Sequence, residues 1–377
     1  MNIGIEATNI TRGGGLNHLI YILKFLQHSQ FSIEKIFIWT NMGIMNELPK
    51  FSWIDVIDSK INNNFSLFKW NKYTLEKKLI ENSCDVLFVP GGIYLGKFRP
   101  YVSMAQNLLP FDKVERKKYK YSKEFFRYLV LEKLQKKTFD NSDGTIFLSN
   151  YSKSVIADDK IKMKSLVIYH GIDKSFFNIK KRKSIPMNNY KKPIKLLYVS
   201  IINHYKNQIN VVKAINILDQ QGVNVELKLI GPSYKPALSK LNSCILSLKK
   251  IQGKVNYIGN IKHKDLSKYY NEADIFIFAS SCETFGMILL EAMASGLPIA
   301  CSNISSMPEI LKKNGEYFNP NDPISISKAI MKIVLNTDKI NYSKKVLNRA
   351  KDFSWEKCSY QTFKYLKSVM KKNYRKV

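Results

Sequence analysis

The chain has 377 residues, 45% of them hydrophobic and 24% charged, with 60 Lys and Arg against 30 Asp and Glu for a formal charge of +30. Such a length and balance exclude a disordered or low-complexity chain and suit two domains, each with its own core. The charge favours polyanionic partners, namely nucleic acid, an anionic leaflet or phosphate-bearing small molecules. The cysteines (Cys84, Cys244, Cys282, Cys301 and Cys358) are scattered without CxxC or CxxH spacing, which fits a reduced cytosolic protein with no structural metal.

In chain order, Met-Asn-Ile-Gly-Ile-Glu-Ala at 1–7 reads as a strand and lacks the basic and long apolar regions of a signal peptide. No segment approaches the ~20 uninterrupted apolar residues that span a bilayer. Thr11-Arg12-Gly13-Gly14-Gly15 then leads into a helix expected over 16–27. Glycines there let backbone approach a ligand, and the helix start offers N–H groups. The spacing is not G-x-G-x-x-G, so a flexible loop is the plain alternative.

Further strands are expected over 35–39, 86–89, 101–105, 144–148 and 165–169, with helices over 72–81, 123–139 and 152–157. Pro90-Gly91-Gly92 forms a turn after the 86–89 strand, and Gln106-Asn107 follows the 101–105 strand. Between Lys113 and Lys137, ten Lys/Arg stand against three Glu, with Phe125, Phe126, Tyr128, Leu129, Val130, Leu131 and Leu134 interleaved. That mixture suits a basic amphipathic helix on a membrane surface; the alternative is a solvated helix packed on its own domain. Asp158-Asp159 reads as a solvated turn, and no DxD pair is present for a metal. Lys180 to Lys183 and Pro186 to Lys192 are basic, polar and interrupted by proline, as in a linker.

The second half restarts the alternation, with strands over 195–200, 225–230, 255–258, 274–278 and 298–301, and a final helix over 354–372. Alternation of this kind predicts doubly wound α/β sheets. Its most informative segment is Glu283-Thr-Phe-Gly-Met-Ile-Leu-Leu-Glu291. The apolar run 273–279 is a buried strand, Met287 to Ala294 has helix-forming composition, and Ser295-Gly296-Leu297-Pro298 stops it. The helix start would leave the N–H groups of Phe285, Gly286 and Met287 without partners, an anion site aided by the helix dipole. Glu283 before it and Glu291 roughly a turn and a half inside suit the hydroxyls of a sugar and a ribose. An ordinary βα unit with a solvated Glu is the alternative.

The E-x7-E element, with Phe-Gly after its first Glu and Ala-Met-Ala-Ser-Gly-Leu-Pro after its second, resembles the donor site of retaining GT-B glycosyltransferases, family 4 (glycosyl transferases group 1). The resemblance continues through Ser305-Ser-Met-Pro-Glu-Ile310, Tyr317-Phe-Asn-Pro320, Tyr198 to Lys206 and Tyr257-Ile-Gly-Asn260. It is strong in the second half and looser in the first. It implies two Rossmann-like domains facing a cleft: an acceptor-side domain over 1–185, with the helix 355–377 crossing back onto it, and a nucleotide-sugar domain over 190–354.

For the site, the resemblance implies Lys206 and the N–H groups of Phe285, Gly286 and Met287 on the diphosphate, Glu283 on the donor sugar and Glu291 on the ribose, with Lys206 and Glu283 as the catalytic pair. Gly14 and Gly15 would lie against the donor, and Gly92, Gln106 and Asn107 on the acceptor side. Two departures matter. Ile201 stands where relatives place an Arg, which leaves one cation fewer unless Arg12 or His204 substitutes. Gln106-Asn107 replaces a His-Asp pair, so no titratable group remains there for general-base work. His170-Gly171-Ile172-Asp173 resembles the family's Asn-Gly-Val-Asp turn and reads as structural or cleft-lining.

The implied activity is retaining, metal-independent transfer of a hexose from a UDP- or GDP-sugar to a growing, lipid-linked surface glycan such as O-antigen or capsule. No cofactor is expected. The expected partners are the nucleotide sugar, the glycan acceptor and the anionic inner membrane surface, with cytoplasmic, membrane-peripheral localisation. The alternatives are a GT-B nucleotide-sugar epimerase and, from the charge alone, a nucleic-acid-binding protein; the aromatics match no recognised nucleic-acid signature.

Overall fold

The computed structural model describes residues 1–11, 13–61, 63–177, 192–336 and 338–374; Arg12 and nearly all of the expected linker over 180–192 lie outside them. The chain divides into two units, Met1–Gly171 with Ser354–Val377, and Ile172–Phe353.

The first unit is a seven-stranded parallel sheet of β1 (Asn2–Glu6), β2 (Lys35–Thr40), β3 (Ile54–Asp58), β4 (Val86–Pro90), β5 (Tyr101–Ala105), β6 (Gly144–Phe147) and β7 (Ser165–Val167). Its order is β3-β2-β1-β4-β5-β6-β7. Every residue of β4 and β5 is buried, as parallel strands covered on both faces must be. The winding reverses between β1 and β4, so their carboxyl ends flank the topological switch point. Glu6 ends β1 there, and Gly91 and Gly92 follow β4.

The helix Gly14–Lys24 buries Leu16, Leu19, Ile22 and Leu23 along one stripe. It starts two residues earlier than the apolar pattern suggests, because Gly13 takes φ 71° as its N-cap and Gly14 and Gly15 form the first turn. The C-terminal helix Trp355–Tyr374 belongs to this unit. Its Ser359 hydroxyl donates to the Ile22 carbonyl at 2.6 Å, Tyr365 donates to the Lys164 carbonyl at 2.6 Å, and Trp355 stacks on Tyr21 at 4.9 Å. Gly171 lies under the start of that helix: a Cβ there would come within 2.1 Å of the Trp355 nitrogen. His170 stacks on His18 at 4.8 Å, and both are buried. Burial pulls His18 down to about 3 and His170 well below the usual range, so both rings are neutral packing groups.

The basic segment forms the helix Lys123–Asn141, capped by the Ser122 hydroxyl accepting from the Phe125 N–H at 3.3 Å. Tyr128, Thr138 and Phe139 face the core, whereas Phe126 and Val130 are 63% and 55% exposed, as are Val114 and Tyr121 just before the helix, at 71% and 86%. Asp158 caps the short helix Asp159–Met163 and pairs with Lys136 at 2.6 Å, a structural role for that acidic pair.

The second unit is a six-stranded parallel sheet of β8 (Ile194–Val199), β9 (Val225–Ile230), β10 (Val255–Gly259), β11 (Ile275–Phe278), β12 (Ile299–Ser302) and β13 (Glu316–Phe318). Its order, β10-β9-β8-β11-β12-β13, puts the switch point between β8 and β11. The α/β architecture of two Rossmann-like domains expected from the sequence is therefore present. Two strands escaped the sequence pattern. Both β3 and β13 are edge strands, short or half-exposed and rich in acidic or polar residues, so neither shows an apolar run.

Candidate functional site

At the β8/β11 switch point two loops are stitched together. Asn207 adopts φ 54°, and its side-chain amide donates to the Ala279 carbonyl at 3.0 Å and to the Ser281 hydroxyl at 3.2 Å. The Ser281 N–H donates to the Tyr205 carbonyl at 2.8 Å. These bonds hold Lys206, on the loop after β8, against Glu283, on the loop after β11.

Lys206 is 6% exposed, and its ammonium forms an ion pair with Glu283 Oε1. The same nitrogen lies 4.9 Å from the Tyr205 ring centroid and 5.3 Å from that of Phe278, a cation–π setting that stabilises the charge in a place with little water. Ser280 donates a second hydrogen bond to Glu283 Oε1 at 2.7 Å. Ser305 fixes the Glu283 backbone, accepting from its N–H at 2.8 Å and donating to its carbonyl at 2.9 Å. A desolvated ammonium beside a fixed carboxylate can hold a polyanion and a polyhydroxylated group side by side.

Next in the chain, Gly286 takes φ 93° and ψ 58° as the N-cap of the helix Met287–Ala294, a left-handed conformation that glycine adopts freely. The first helical positions have no carbonyl inside the helix to donate to, and the helix dipole adds partial positive charge at that end. Phe285 turns its ring into the core, edge-on to Phe353 at 5.8 Å, and its carbonyl accepts from the Ser306 hydroxyl at 3.0 Å.

Inside that helix Glu291 is 2% exposed, and both carboxylate oxygens are held. Oε1 lies 2.9 Å from His263 Nε2, and Oε2 accepts from the Tyr270 hydroxyl at 2.9 Å. The hydrogen bond to Glu291 lifts the His263 imidazole above its usual range against the pull of burial, and burial pushes the Tyr270 phenol well up. Ser280, Ser305, His263 and Tyr270 are the site residues that sequence reasoning misses. Each meets the E-x7-E element from 3 to 28 residues away; only Ser305 stands in a motif singled out from the sequence, and nothing local ties it to Glu283.

The remaining predicted residues lie in the first unit. Gln106 fills the space beside two glycines: a Cβ on Gly15 would sit 2.7 Å from Gln106 Oε1, and one on Gly91 would sit 3.2 Å from Gln106 Cβ. Gly14 is exposed in the first turn of its helix, and the Asn107 side chain accepts from the Leu109 N–H at 3.2 Å, closing its own turn. Gly92 is buried, and a Cβ there would be 3.2 Å from Glu6 Oε2.

Glu6 is another unforeseen group at that switch point. Its Oε1 accepts from the Thr8 hydroxyl and from Trp70 Nε1 at 3.3 Å, while Oε2 has no hydrogen-bond partner among the described residues. Burial raises its carboxyl to about 7. A carboxylate ending an apolar strand is the sequence signal that could have found it. Among the described residues, no group of three or more His, Cys, Asp or Glu is placed to hold a metal ion. His204, a candidate substitute cation, is edge-on to Tyr234 at 5.7 Å.

Residues 180–352 match the family model for glycosyl transferases group 1, so the chain carries a domain of that type. It is 30% identical over 167 residues to the O-antigen chain mannosyltransferase B of Escherichia coli, covering 44% of this chain and 44% of that one. It is 28% identical over 212 residues to the α-monoglucosyldiacylglycerol synthase of Streptococcus pneumoniae, covering 53% and 46% respectively. The chain thus spans about half the length of these curated relatives. The fold is similar to that of Anabaena Alr3699/HepE, solved in complex with UDP and glucose, with a TM-score of 0.70 at 16% identity, covering 96% of this chain and 98% of that one.

Proposed function

We propose that the chain is a retaining GT-B glycosyltransferase of family 4 that moves a hexose from a UDP- or GDP-linked donor to a hydroxyl of a surface glycan. The observation that carries this reading is the ion pair of the buried Lys206 with Glu283 at the β8/β11 switch point, beside the helix start at Met287 and inside the matched segment. Lys206 and the N–H groups of Phe285, Gly286 and Met287 neutralise the departing diphosphate, the charge that grows in the transition state. Glu283 holds donor-sugar hydroxyls and Glu291 the ribose. No enzymic base is needed when the leaving phosphate oxygen takes the acceptor's proton, and cations and backbone dipoles replace a metal ion. Gly92, Gln106 and Asn107 serve the acceptor.

The acceptor in this reading is lipid-linked, and the protein works at the cytoplasmic face of the membrane. Support comes from the exposed Val114, Tyr121, Phe126 and Val130 among the lysines of 113–137, and from the names of the O-antigen and diacylglycerol relatives. No described helix is long and apolar enough to cross a membrane.

A screen of UDP- and GDP-hexoses for donor hydrolysis tests the activity. Release of nucleoside diphosphate from one of them is expected; no release from any, with or without lipid-linked acceptor, would refute it.

A further inference from the structure

The two oxygens of Glu291 are held unequally. Tyr270, on Oε2, is 0% exposed, sits edge-on to Phe176 at 5.7 Å and is tilted against Phe276 at 5.7 Å. His263, on Oε1, has a side chain 37% exposed and comes from the short turn between β10 and the helix Leu266–Glu272. Its ring meets Phe176 edge-on at 5.4 Å. The carboxylate itself is 2% exposed, so the route from solvent to Glu291 runs on the His263 side. A buried carboxylate without donors is costly, and His263 supplies one that a ligand hydroxyl could supply instead.

We propose that His263 is an exchangeable cap on Glu291: a ribose diol that takes Glu291 Oε1 displaces the imidazole, so nucleotide binding is linked to the loss of a proton from His263. This rests on the donor-site reading of Glu291. The groups facing His263 are Glu291 from the helix Met287–Ala294, Tyr270 from the helix Leu266–Glu272 and Asp173 ahead of the turn Lys174–Phe177, with Lys262, Lys264 and Asp265 beside it in the chain. Glu291 is foremost in holding the proton on, with Asp173 adding to it. Once the diol replaces the imidazole, the ring loses that carboxylate and holds its proton less tightly, so part of the proton is released on binding. Tyr270 stays in place as the fixed donor.

The test uses the whole protein and calorimetric titration with UDP and GDP, then with the 2′,3′-dideoxy form of whichever binds more tightly, between about pH 6 and pH 8.5. Protonation of the diphosphate is common to both forms and cancels in the ratio of their Kd values. That ratio, the preference for the ribose, should grow with pH in the wild type, by less than tenfold per unit, and level off at the upper end of the range. In His263→Ala, and in His263→Gln, which keeps a neutral donor should the alanine variant not fold, the preference should be independent of pH. In Glu291→Gln it should be lost throughout. A pH-independent preference in the wild type, or a wild-type slope in both His263 variants, overturns the cap while leaving Glu291 as a ribose ligand. Full preference retained in Glu291→Gln, or no binding of either nucleotide, refutes the donor-site reading and the cap with it.

Discussion

Lys206 and Glu283, 77 residues apart in the chain, form one ion pair, the lysine buried and the glutamate partly so, that joins the two loops at the β8/β11 switch point. The pair is organised from both sides, by the aromatic rings of Tyr205 and Phe278 on the ammonium and by Ser280 on the carboxylate. Each charge here satisfies the other. With a nucleotide sugar bound, each would acquire the partner that the proposed function assigns to it.

Gly286→Ala forces an L-residue into φ 93°, although the space around it is open enough, with Met307 Sδ and Phe278 Cε1 each 3.6 Å from the position the new Cβ would take. The backbone cost is about 1–2 kcal/mol. Urea unfolding should show that loss, and nucleotide affinity should fall because the helix start shifts. Unchanged stability and affinity would mean the left-handed turn is not required.

Gly171→Ala meets the backbone of Ser354 and Trp355, which cannot rotate away as a side chain could. Amide hydrogen exchange across the helix Trp355–Tyr374 should therefore rise by orders of magnitude in the variant. Exchange like that of the wild type would show that the helix is anchored without this contact.

Glu6 gives a stability term with a definite sign. Its carboxyl is raised from 4.5 to about 7, so the folded state binds the proton more tightly than the unfolded chain. The stabilisation is fully present below about 4.5 and is lost as pH rises through about 7, at most about 3 kcal/mol in all. Urea unfolding of Glu6→Gln and wild type at pH 5 and pH 8 should show the variant gaining relative to wild type at the higher pH. A pH-independent difference would place the proton elsewhere.

Phe126→Ser with Val130→Ser removes the apolar side chains most exposed on the basic helix without touching Tyr128 or Phe139, which it buries. Sedimentation with phosphatidylglycerol-containing vesicles should fall several-fold while donor hydrolysis in solution is unchanged. Equal sedimentation by both proteins would remove the helix from the membrane account.

Much of this arrangement is legible in the sequence because buried parallel strands are continuous apolar runs. The strand β5 and the helix Met287–Ala294 fall on the residues that composition indicates. Strands β3 and β13 do not, since an edge strand such as Ile54-Asp-Val-Ile-Asp58 mixes apolar and acidic residues. The E-x7-E spacing likewise points to Glu283 and Glu291 but not to what holds them. His263 sits in Lys262-His-Lys-Asp265, which reads as a solvated turn, and only the packing of β10, β11 and the following helix brings it to 2.9 Å from Glu291. The contact of Gln106 with Gly15 and Gly91 is of the same kind: three strand ends meet at a switch point, and no local pattern records it.

The most direct test of the donor-site account is hexose transfer by Glu283→Gln and Lys206→Gln, each compared with wild type on the active donor. Both substitutions keep hydrogen-bonding capacity while removing one charge of the pair, and circular dichroism and thermal melting report whether each variant is folded. Folded variants with transfer reduced at least about a hundredfold are expected, the scale set by losing one electrostatic contact to the transition state. Near-wild-type transfer in both would contradict the donor-site account.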